Sequence, residues 1–438
     1  MRRIIYGAFW IGVYLFLILT PLVVLLIGPT PPGRSFWREL SVALGFVGLA
    51  MMGMQFFLTA RVRAITRPYG IDVVYHFHRQ ISLIAFLLVL AHPVILLVES
   101  PETLILFNPL TAPARATAGV ISLLLLTILI ILSVWRLRLR INYEAWRLSH
   151  GILATAVVLL AVGHVVGVGY YVNEPYKQIL WIVLGVAWVS ALVYTRLVKP
   201  LLLINRPYQV EELVAERGDT WTLALRPEGH RGMIFRPGQF AWLTLWRTPF
   251  SIQEHPFSFS SSAMHPERLE LSIKELGDFT RKIKEVTPGT RAYLDGPYGV
   301  FTYDYYPAPG YVFIAGGVGI TPVVSMLRTA ADRRDARPFL LIYGSPTWEG
   351  ITFREVLEEL ETRLDLRVCH VLEKPPDEWT GETGFVNAEL LARQLPAARL
   401  QYEYFICGPE PMLDAVDRAL EQLGIPIEQT HTERFNLV

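Results

Sequence analysis

The chain has 438 residues, of which 52% are apolar and 18% charged. Soluble domains carry roughly 25% charge, so intrinsic disorder and a purely solvated surface are both excluded. The formal net charge is +1, which lends nucleic-acid binding no support. That sum conceals two unlike halves. Residues 1–200 hold 16 Lys+Arg against 6 Asp+Glu, a balance of +10, and residues 201–438 hold 24 against 33, a balance of −9.

Six apolar runs occupy the first half, at 4–27, 36–60, 73–98, 117–135, 148–170 and 178–198. Each has the roughly 20 residues that a helix needs to cross a hydrocarbon core about 30 Å thick. The first run is too long for a signal peptide and no small-x-small site follows Gly28-Pro29-Thr30, so an uncleaved span is expected. Arg2, Arg3, Arg61, Arg63, Arg67, Arg136, Arg138, Arg140, Arg147, Arg196 and Lys199 gather on one side. Arg34, Arg38, Arg115 and Lys177 lie in the loops of the other. The richer side is the cytoplasmic one. An even number of spans then places both termini and the whole second half in the cytoplasm of a plasma or inner membrane. The two cysteines, Cys369 and Cys407, both fall in that half and form no CxxC pair.

A histidine at bilayer depth is costly and points to function. His78 and His92 on span 3 are 14 residues apart, as are His150 and His164 on span 5. At about 100° per residue, 14 steps return to within about 40°, and at about 1.5 Å rise they cover about 21 Å. Spans 3 and 5 run the same way, so His78 is level with His150 near the cytoplasmic face, and His92 with His164 near the outer face. Two stacked bis-His metal sites result, and haem, with an apolar macrocycle and two axial positions, fits them best. Zinc is disfavoured because neither a cysteine nor a carboxylate joins the set. His76 is 16 residues from His92, about 160° round the helix, and faces away. Phe86, between the two levels, is expected to face lipid.

After Pro200 short alternating segments such as Trp221–Leu225 and Phe240–Leu245, separated by Gly and Pro turns, predict a small antiparallel barrel. From Pro309 strands alternate with helices in a parallel α/β pattern: Tyr311–Ala315 before a helix from Thr321, Phe339–Tyr343 before one around 353–363, and Tyr404–Cys407 before one from Pro411. Gly316-Gly317-Val318-Gly319-Ile320-Thr321-Pro322, between strand and helix, reads as a phosphate-binding turn. Its glycines let backbone approach a pyrophosphate, and the helix N-terminus offers free N–H groups.

Over residues 205–438 these motifs, in order, resemble the ferredoxin-NADP reductase superfamily. Phe235-Arg236-Pro237-Gly238-Gln239-Phe240 is similar to its barrel strand signature. His255-Pro256-Phe257-Ser258-Phe259-Ser260-Ser261 resembles its flavin motif. Ser272-Ile273-Lys274 with Gly277-Asp278-Phe279-Thr280 resembles the segment that holds the FAD pyrophosphate, and Gly296-Pro297-Tyr298-Gly299 closes that domain. Cys407-Gly408-Pro409 is similar to the turn beside the nicotinamide, and Glu433-Arg434-Phe435 to the acidic residue and aromatic that guard the flavin. With the paired histidines, nearly the whole chain resembles the NADPH oxidase and ferric reductase group.

The resemblance implies a multi-domain membrane protein. Residues 1–200 would be a six-helix transmembrane di-haem domain, 201–307 an antiparallel β-barrel FAD domain, and 308–438 a Rossmann-like α/β NAD(P) domain. It implies an NAD(P)H oxidoreductase whose electrons pass from cytoplasmic NADPH or NADH to FAD, then to an inner b-type haem on His78 and His150 and an outer one on His92 and His164. Cofactor contacts would come from His255, Pro256, Phe257, Ser258, Ser260, Lys274, Gly277, Phe279, Thr280, Gly316, Gly317, Gly319, Thr321, Pro322, Cys407, Gly408, Pro409 and Phe435. Phe435 would move to admit the nicotinamide, with Cys407 beside it. O2, giving superoxide, is the expected acceptor, and a ferric chelate is the alternative. A haem sensor or membrane anchor fused to a flavin reductase is a further alternative. The sequence holds no EF-hand loop, so calcium control is not expected, and it leaves the oligomeric state open. Tyr343-Gly344-Ser345-Pro346-Thr347 offers a hydroxyl but no base for a 2′-phosphate, while Glu373 opposes one and Lys374 and Arg354 could offset it.

Overall fold

The computed structural model describes residues 2–108 and 110–434, with side chains from residue 5 onward. It divides into two compact units, Met1–Pro200 and Leu201–Val438. Among the described residues of the first, six helices are long and apolar enough to cross a membrane. They are α1 (Arg2–Leu25), α2 (Phe36–Thr59), α3 (Ile71–Glu99), α4 (Ala114–Val134), α5 (Tyr143–Val168) and α6 (Pro175–Val193). The last continues through a π turn, Tyr194–Val198, into Lys199–Ile204, so the helical run extends past the expected end at residue 198.

Local chemistry sets the helix ends. The Ser35 hydroxyl accepts the Arg38 N–H at 3.3 Å at the start of α2. Asn142 Oδ1 accepts from Glu144 and Ala145 at 2.8 and 3.3 Å at the start of α5. Gly169 closes α5 at φ +69°, a left-handed position that glycine adopts without strain.

Lipid supplies no hydrophobic drive between helices, so close packing and hydrogen bonds hold them together. Helix α2 is the most enclosed, buried almost throughout 46–58. A Cβ on its Gly53 would lie 2.1 Å from the Trp188 ring, and one on Gly48 2.8 Å from Val89; these glycines let α6 and α3 approach. Phe46, Leu49, Phe56, Val158, Trp181 and Trp188 form one core, and Met51, Met54, Ala85, Leu126 and Val157 another. Phe86 packs half-buried against the second core rather than facing lipid. Phe16, Leu87, Leu124 and Val183 present the apolar outer surface.

The second unit contains two sheets. The first is antiparallel, in the order β4-β3-β6-β1-β2-β5, from β1 (Tyr208–Glu216), β2 (Thr220–Pro227), β3 (Phe240–Leu245), β4 (His255–Ser258), β5 (Leu269–Lys274) and β6 (Arg291–Tyr298). It curls so that Leu223, Leu225, Leu243, Phe259, Leu271 and Leu294 share one core, and each such side chain contributes roughly 1.5–3 kcal/mol on burial.

The other sheet is parallel, in the order β10-β9-β8-β7-β11-β12. Its strands are β7 (Tyr311–Gly316), β8 (Phe339–Ser345), β9 (Leu366–Leu372), β10 (Glu382–Thr383), β11 (Glu403–Cys407) and β12 (Thr430–Glu433). Helices α7 (Ile320–Asp332) and α8 (Arg354–Arg363) share a core with one face, and α9 (Ala388–Gln394) and α10 (Glu410–Gln422) with the other. Covered on both sides, β7 is buried at every position.

Helix α7 fastens the two sheets together. Ser325 donates to Ser261 O at 2.7 Å, Thr329 Oγ1 accepts from Ala263 N–H at 2.9 Å, and Arg328 reaches Ser260 O at 3.0 Å and Glu270 at 2.6 Å. The six-helix bundle, the antiparallel barrel-like sheet and the α/β module are the layout expected from the sequence.

Candidate functional site

Within the first unit, α3 and α5 bring the predicted histidines together in two pairs. The ring centroids of His78 and His150 are 6.5 Å apart, with planes inclined by 65°. Those of His92 and His164 are also 6.5 Å apart, inclined by 64°. His76 is exposed on α3 and joins neither pair. Among the described residues, no Cys, Asp or Glu completes a three-ligand metal cluster.

Each Nδ1 has a partner on a neighbouring helix. His78 Nδ1 is 2.8 Å from Gln55 Oε1, and His92 Nδ1 is 2.9 Å from Ser41 Oγ, both on α2. His150 Nδ1 is 3.1 Å from Ser133 Oγ, and His164 Nδ1 is 2.7 Å from Arg115 O, both on α4. A Cβ on Gly119 of α4 would sit 2.7 Å from His164 Nδ1, and one on Gly45 of α2 3.2 Å from His92 Cγ, so the rings need those glycines. Sequence reasoning missed Ser41, Gln55, Gly119 and Ser133. Their signal was present: Ser41 and Gln55 are 14 residues apart, as are Gly119 and Ser133, the same interval as the histidines they face.

In the second unit a cleft opens between the barrel and the nucleotide sheet. Phe240, Pro256, Phe257, Ser258, Ser272, Ile273, Lys274, Leu276, Thr280, Val318, Thr321 and Glu433 line it. Six expected contacts are therefore on its wall: Pro256, Phe257, Ser258, Lys274, Thr280 and Thr321. Others stand behind it. Ser260 is fully buried and accepts from the Ser272 hydroxyl at 2.8 Å, and Ser272 in turn is 2.7 Å from Thr222 Oγ1. His255 stacks on Phe279 with centroids 4.1 Å apart. Thr280 Oγ1 accepts the N–H groups of Leu276 and Gly277, both at 2.8 Å, shaping the turn that carries Gly277.

The glycine turn leads from β7 into α7. Gly317 adopts φ +54°, and its carbonyl accepts from the buried Tyr343 hydroxyl at 3.0 Å. Cβ atoms on Gly316 and Gly319 would lie 2.6 Å from Met412 Sδ and 2.3 Å from Cys407 O, and one on Gly408 2.5 Å from Met412 Cε. Glycine is required there by close approach to β11 and α10. Pro322 is buried in the first turn of α7 and Pro409 precedes α10.

Cys407 ends β11 opposite Glu433 of β12. Its thiol is fully enclosed, and burial first, then the Glu433 carboxylate, pushes it well above the ordinary range. It stands behind the cleft and is not among the residues that line it. Phe435 lies outside the described residues.

Family comparisons match this arrangement piece by piece. Residues 44–161 match a ferric reductase like transmembrane component, 212–302 an FAD-binding domain and 313–418 an oxidoreductase NAD-binding domain. The chain has the ferric reductase/NADPH oxidase-type architecture. The chain thus joins a ferric-reductase-like transmembrane component to FAD-binding and oxidoreductase NAD-binding domains.

Its curated relatives share the soluble part. NADH-cytochrome b5 reductase 1 of Cryptococcus neoformans is 32% identical over 168 residues, 36% of this chain and 57% of that protein. The glycine betaine monooxygenase reductase subunit of Pseudomonas aeruginosa is 28% identical over 234 residues, 51% of this chain and 62% of that protein. The match thus spans rather more than half the length of each relative. Among solved structures, a ferredoxin reductase in carbazole 1,9a-dioxygenase aligns with TM-score 0.46 and 25% identity, over 52% of this chain and 69% of that one.

Proposed function

We propose that this protein carries reducing equivalents from cytoplasmic NAD(P)H across the membrane to an acceptor on the opposite face. The acceptor in this reading is O2, giving superoxide, with a ferric chelate as the alternative. One nicotinamide supplies two electrons, so two O2 or two ferric ions are consumed per donor.

The observation that carries the reading is the 6.5 Å centroid separation, repeated at two levels. Two imidazoles on opposite sides of one metal ion, each with a nitrogen about 2.0–2.1 Å from it, place their ring centres roughly 6.4 Å apart. The donor set, two neutral nitrogens within an apolar bundle, suits a b-type haem, which would be held by His78 with His150 and by His92 with His164. The soluble cleft suits FAD: Phe240 and Phe257 offer apolar wall, Ser258, Thr280 and Thr321 hydroxyls, and Lys274 a cation. When bound, flavin accepts a hydride and releases electrons singly, and haem iron relays them one at a time.

The chain's own residues position and shield. Gly317, with open space where a Cβ would stand, would leave room for a pyrophosphate beside the start of α7, while Gly316 and Gly319 let the turn pack against β11 and α10. Gly408 and Pro409, at the end of β11, would border the nicotinamide. His255, Phe279, Gly277 and Ser260 act from behind the wall by fixing the residues that line it. Cys407 would stand beside the nicotinamide, and Phe435 would cover the flavin face. The basic residues on one set of loops place both termini and the soluble unit in the cytoplasm.

Donor choice follows from the end of β8. Backbone bonds from Glu373 to Ser345 O at 3.1 Å and from Lys374 to Pro346 O at 2.9 Å hold both side chains there. The Arg354 guanidinium is engaged by Trp348 O and Glu355, each at 3.3 Å, and stacks on the Trp348 ring. A 2′-phosphate would therefore meet Glu373, offset by Lys374 and by an arginine already engaged, and NADH is expected to serve as well as NADPH. Steady-state kinetics with both donors, each against O2 and ferric citrate, tests the reading. Superoxide formation without ferric reduction supports it; ferric reduction alone establishes the alternative, and neither one overturns both.

A further inference from the structure

The hydrogen bonds around the histidines specify more than their positions. Gln55 is buried, its Nε2 donates to Met51 O at 2.8 Å, and its Oε1 faces His78. An amide oxygen has no hydrogen to give, so His78 Nδ1 is the donor. Ser133 donates its one proton to Leu129 O at 2.7 Å and accepts the Trp146 indole N–H at 3.3 Å. It too can only accept from His150 Nδ1. Ser41 donates to His92 O at 2.8 Å, and Arg115 O is a carbonyl. All four rings are thereby held in the Nδ1–H form, which leaves Nε2 with its lone pair.

The helices that impose this carry none of the histidines: α2 serves both rings of α3, and α4 both rings of α5. The acceptors differ in strength. Arg115 O is a backbone carbonyl at 2.7 Å, whereas the Ser133 oxygen lies 3.1 Å from its histidine and shares its lone pairs with Trp146. A stronger acceptor draws the Nδ1 proton away from the ring, makes Nε2 more electron-rich and favours the oxidised state of a metal bound there.

We propose that Gln55 and Ser133 are positioning residues that fix the tautomer of His78 and His150 and tune the reduction potential of that inner site independently of the outer one. The inference rests on the two-haem reading above. It assigns α2 and α4 an electronic role, additional to holding the bundle together.

Potentiometric titration of the b-type absorbance in the purified full-length protein tests it. The wild type is expected to resolve into two components. Gln55→Leu, which removes the acceptor, should raise the midpoint of one component and leave the other in place. Gln55→Glu, which replaces the amide with a stronger acceptor, should lower that same midpoint. Ser133→Ala, on a different helix, should raise the same component, and Ser41→Ala should move the other. Opposite shifts from Leu and Glu would not arise from a purely structural role. Unchanged midpoints in all the variants, or equal movement of both components, would overturn the inference while leaving the two-haem reading standing. A wild type without b-type absorbance overturns the reading itself and the inference with it. If Gln55→Leu fails to accumulate, Gln55→Glu and Ser133→Ala decide by the same criterion.

Discussion

The two units handle polar groups in opposite ways. In the membrane unit buried polar side chains are few, and those around the histidines, Ser41, Gln55 and Ser133, each answer a specific partner. The second unit buries many hydroxyls, among them Thr222, Ser260, Ser272 and Ser325, and most of these build structure. In lipid an unmatched polar group is costly enough that its presence signals function, whereas a soluble core tolerates one wherever a hydrogen bond is available. A histidine within the bundle, such as His78 or His92, is therefore more informative than a serine in the barrel.

The most severe way to break that comparison is to remove both rings of α3. In the His78→Ala, His92→Ala double variant, b-type absorbance should vanish and transmembrane reduction should fall at least about 100-fold. NAD(P)H-dependent reduction of ferricyanide by the soluble unit should stay within about twofold, because its cleft is built without the membrane helices. Retained b-type absorbance would show that the four histidines are ordinary core residues.

A smaller effect is expected where the soluble unit depends on a charge. Arg328→Met leaves Glu270 and the Ser260 carbonyl without their α7 partner. It should destabilise the joined sheets by about 1–3 kcal/mol, seen as a lower soluble-unit melting transition with unchanged helical signal. An unaltered melting temperature would mean that the Ser325 and Thr329 contacts suffice.

His370 on β9 titrates in a direction that can be checked. Burial first, and then Arg354, lower it from 6.5 to about 4. The folded state thus binds this proton less readily than the unfolded one. The stabilisation is complete above about pH 6.5 and is lost as pH falls towards 4. Allowing for the ring's partial exposure, it amounts to about 2 kcal/mol. Fluorescence of Trp348, whose ring lies 5.6 Å from His370, can follow denaturant unfolding across that range. His370→Gln should flatten the profile, and a profile that stays equally steep would assign the pH dependence elsewhere.

The smallest change is expected at the surface. Arg217 and Glu355 pair at 2.6 Å with both side chains over a third exposed. Arg217→Ala should lower the melting temperature only slightly, and less again at high salt. A larger loss would show that this contact helps to hold the 347–352 loop against the barrel.

Much of the architecture was legible in the residues. Six apolar runs, the strand at Phe240–Leu245 and the glycine turn before α7 all stand where periodicity and turn chemistry put them. The errors have physical causes. Phe86 reads as lipid-facing because an apolar helix shows little amphipathic contrast, yet it packs inward. Ser260 belongs to the same flavin-like motif as Ser258, but it lies past the end of β4, buried and bonded to Ser272, while Ser258 lines the cleft.

The sequence by itself determined the membrane character, the pairing and level of the histidines, and the order of the modules, because each follows from a period, a length or a contiguous motif. Only the tertiary structure decided which neighbours complete each site. Gln55 lies 23 residues from His78 along the chain, and Arg115 lies 49 from His164. Such partners meet through helix packing and strand order, which bring distant segments within hydrogen-bonding range and which no local pattern records.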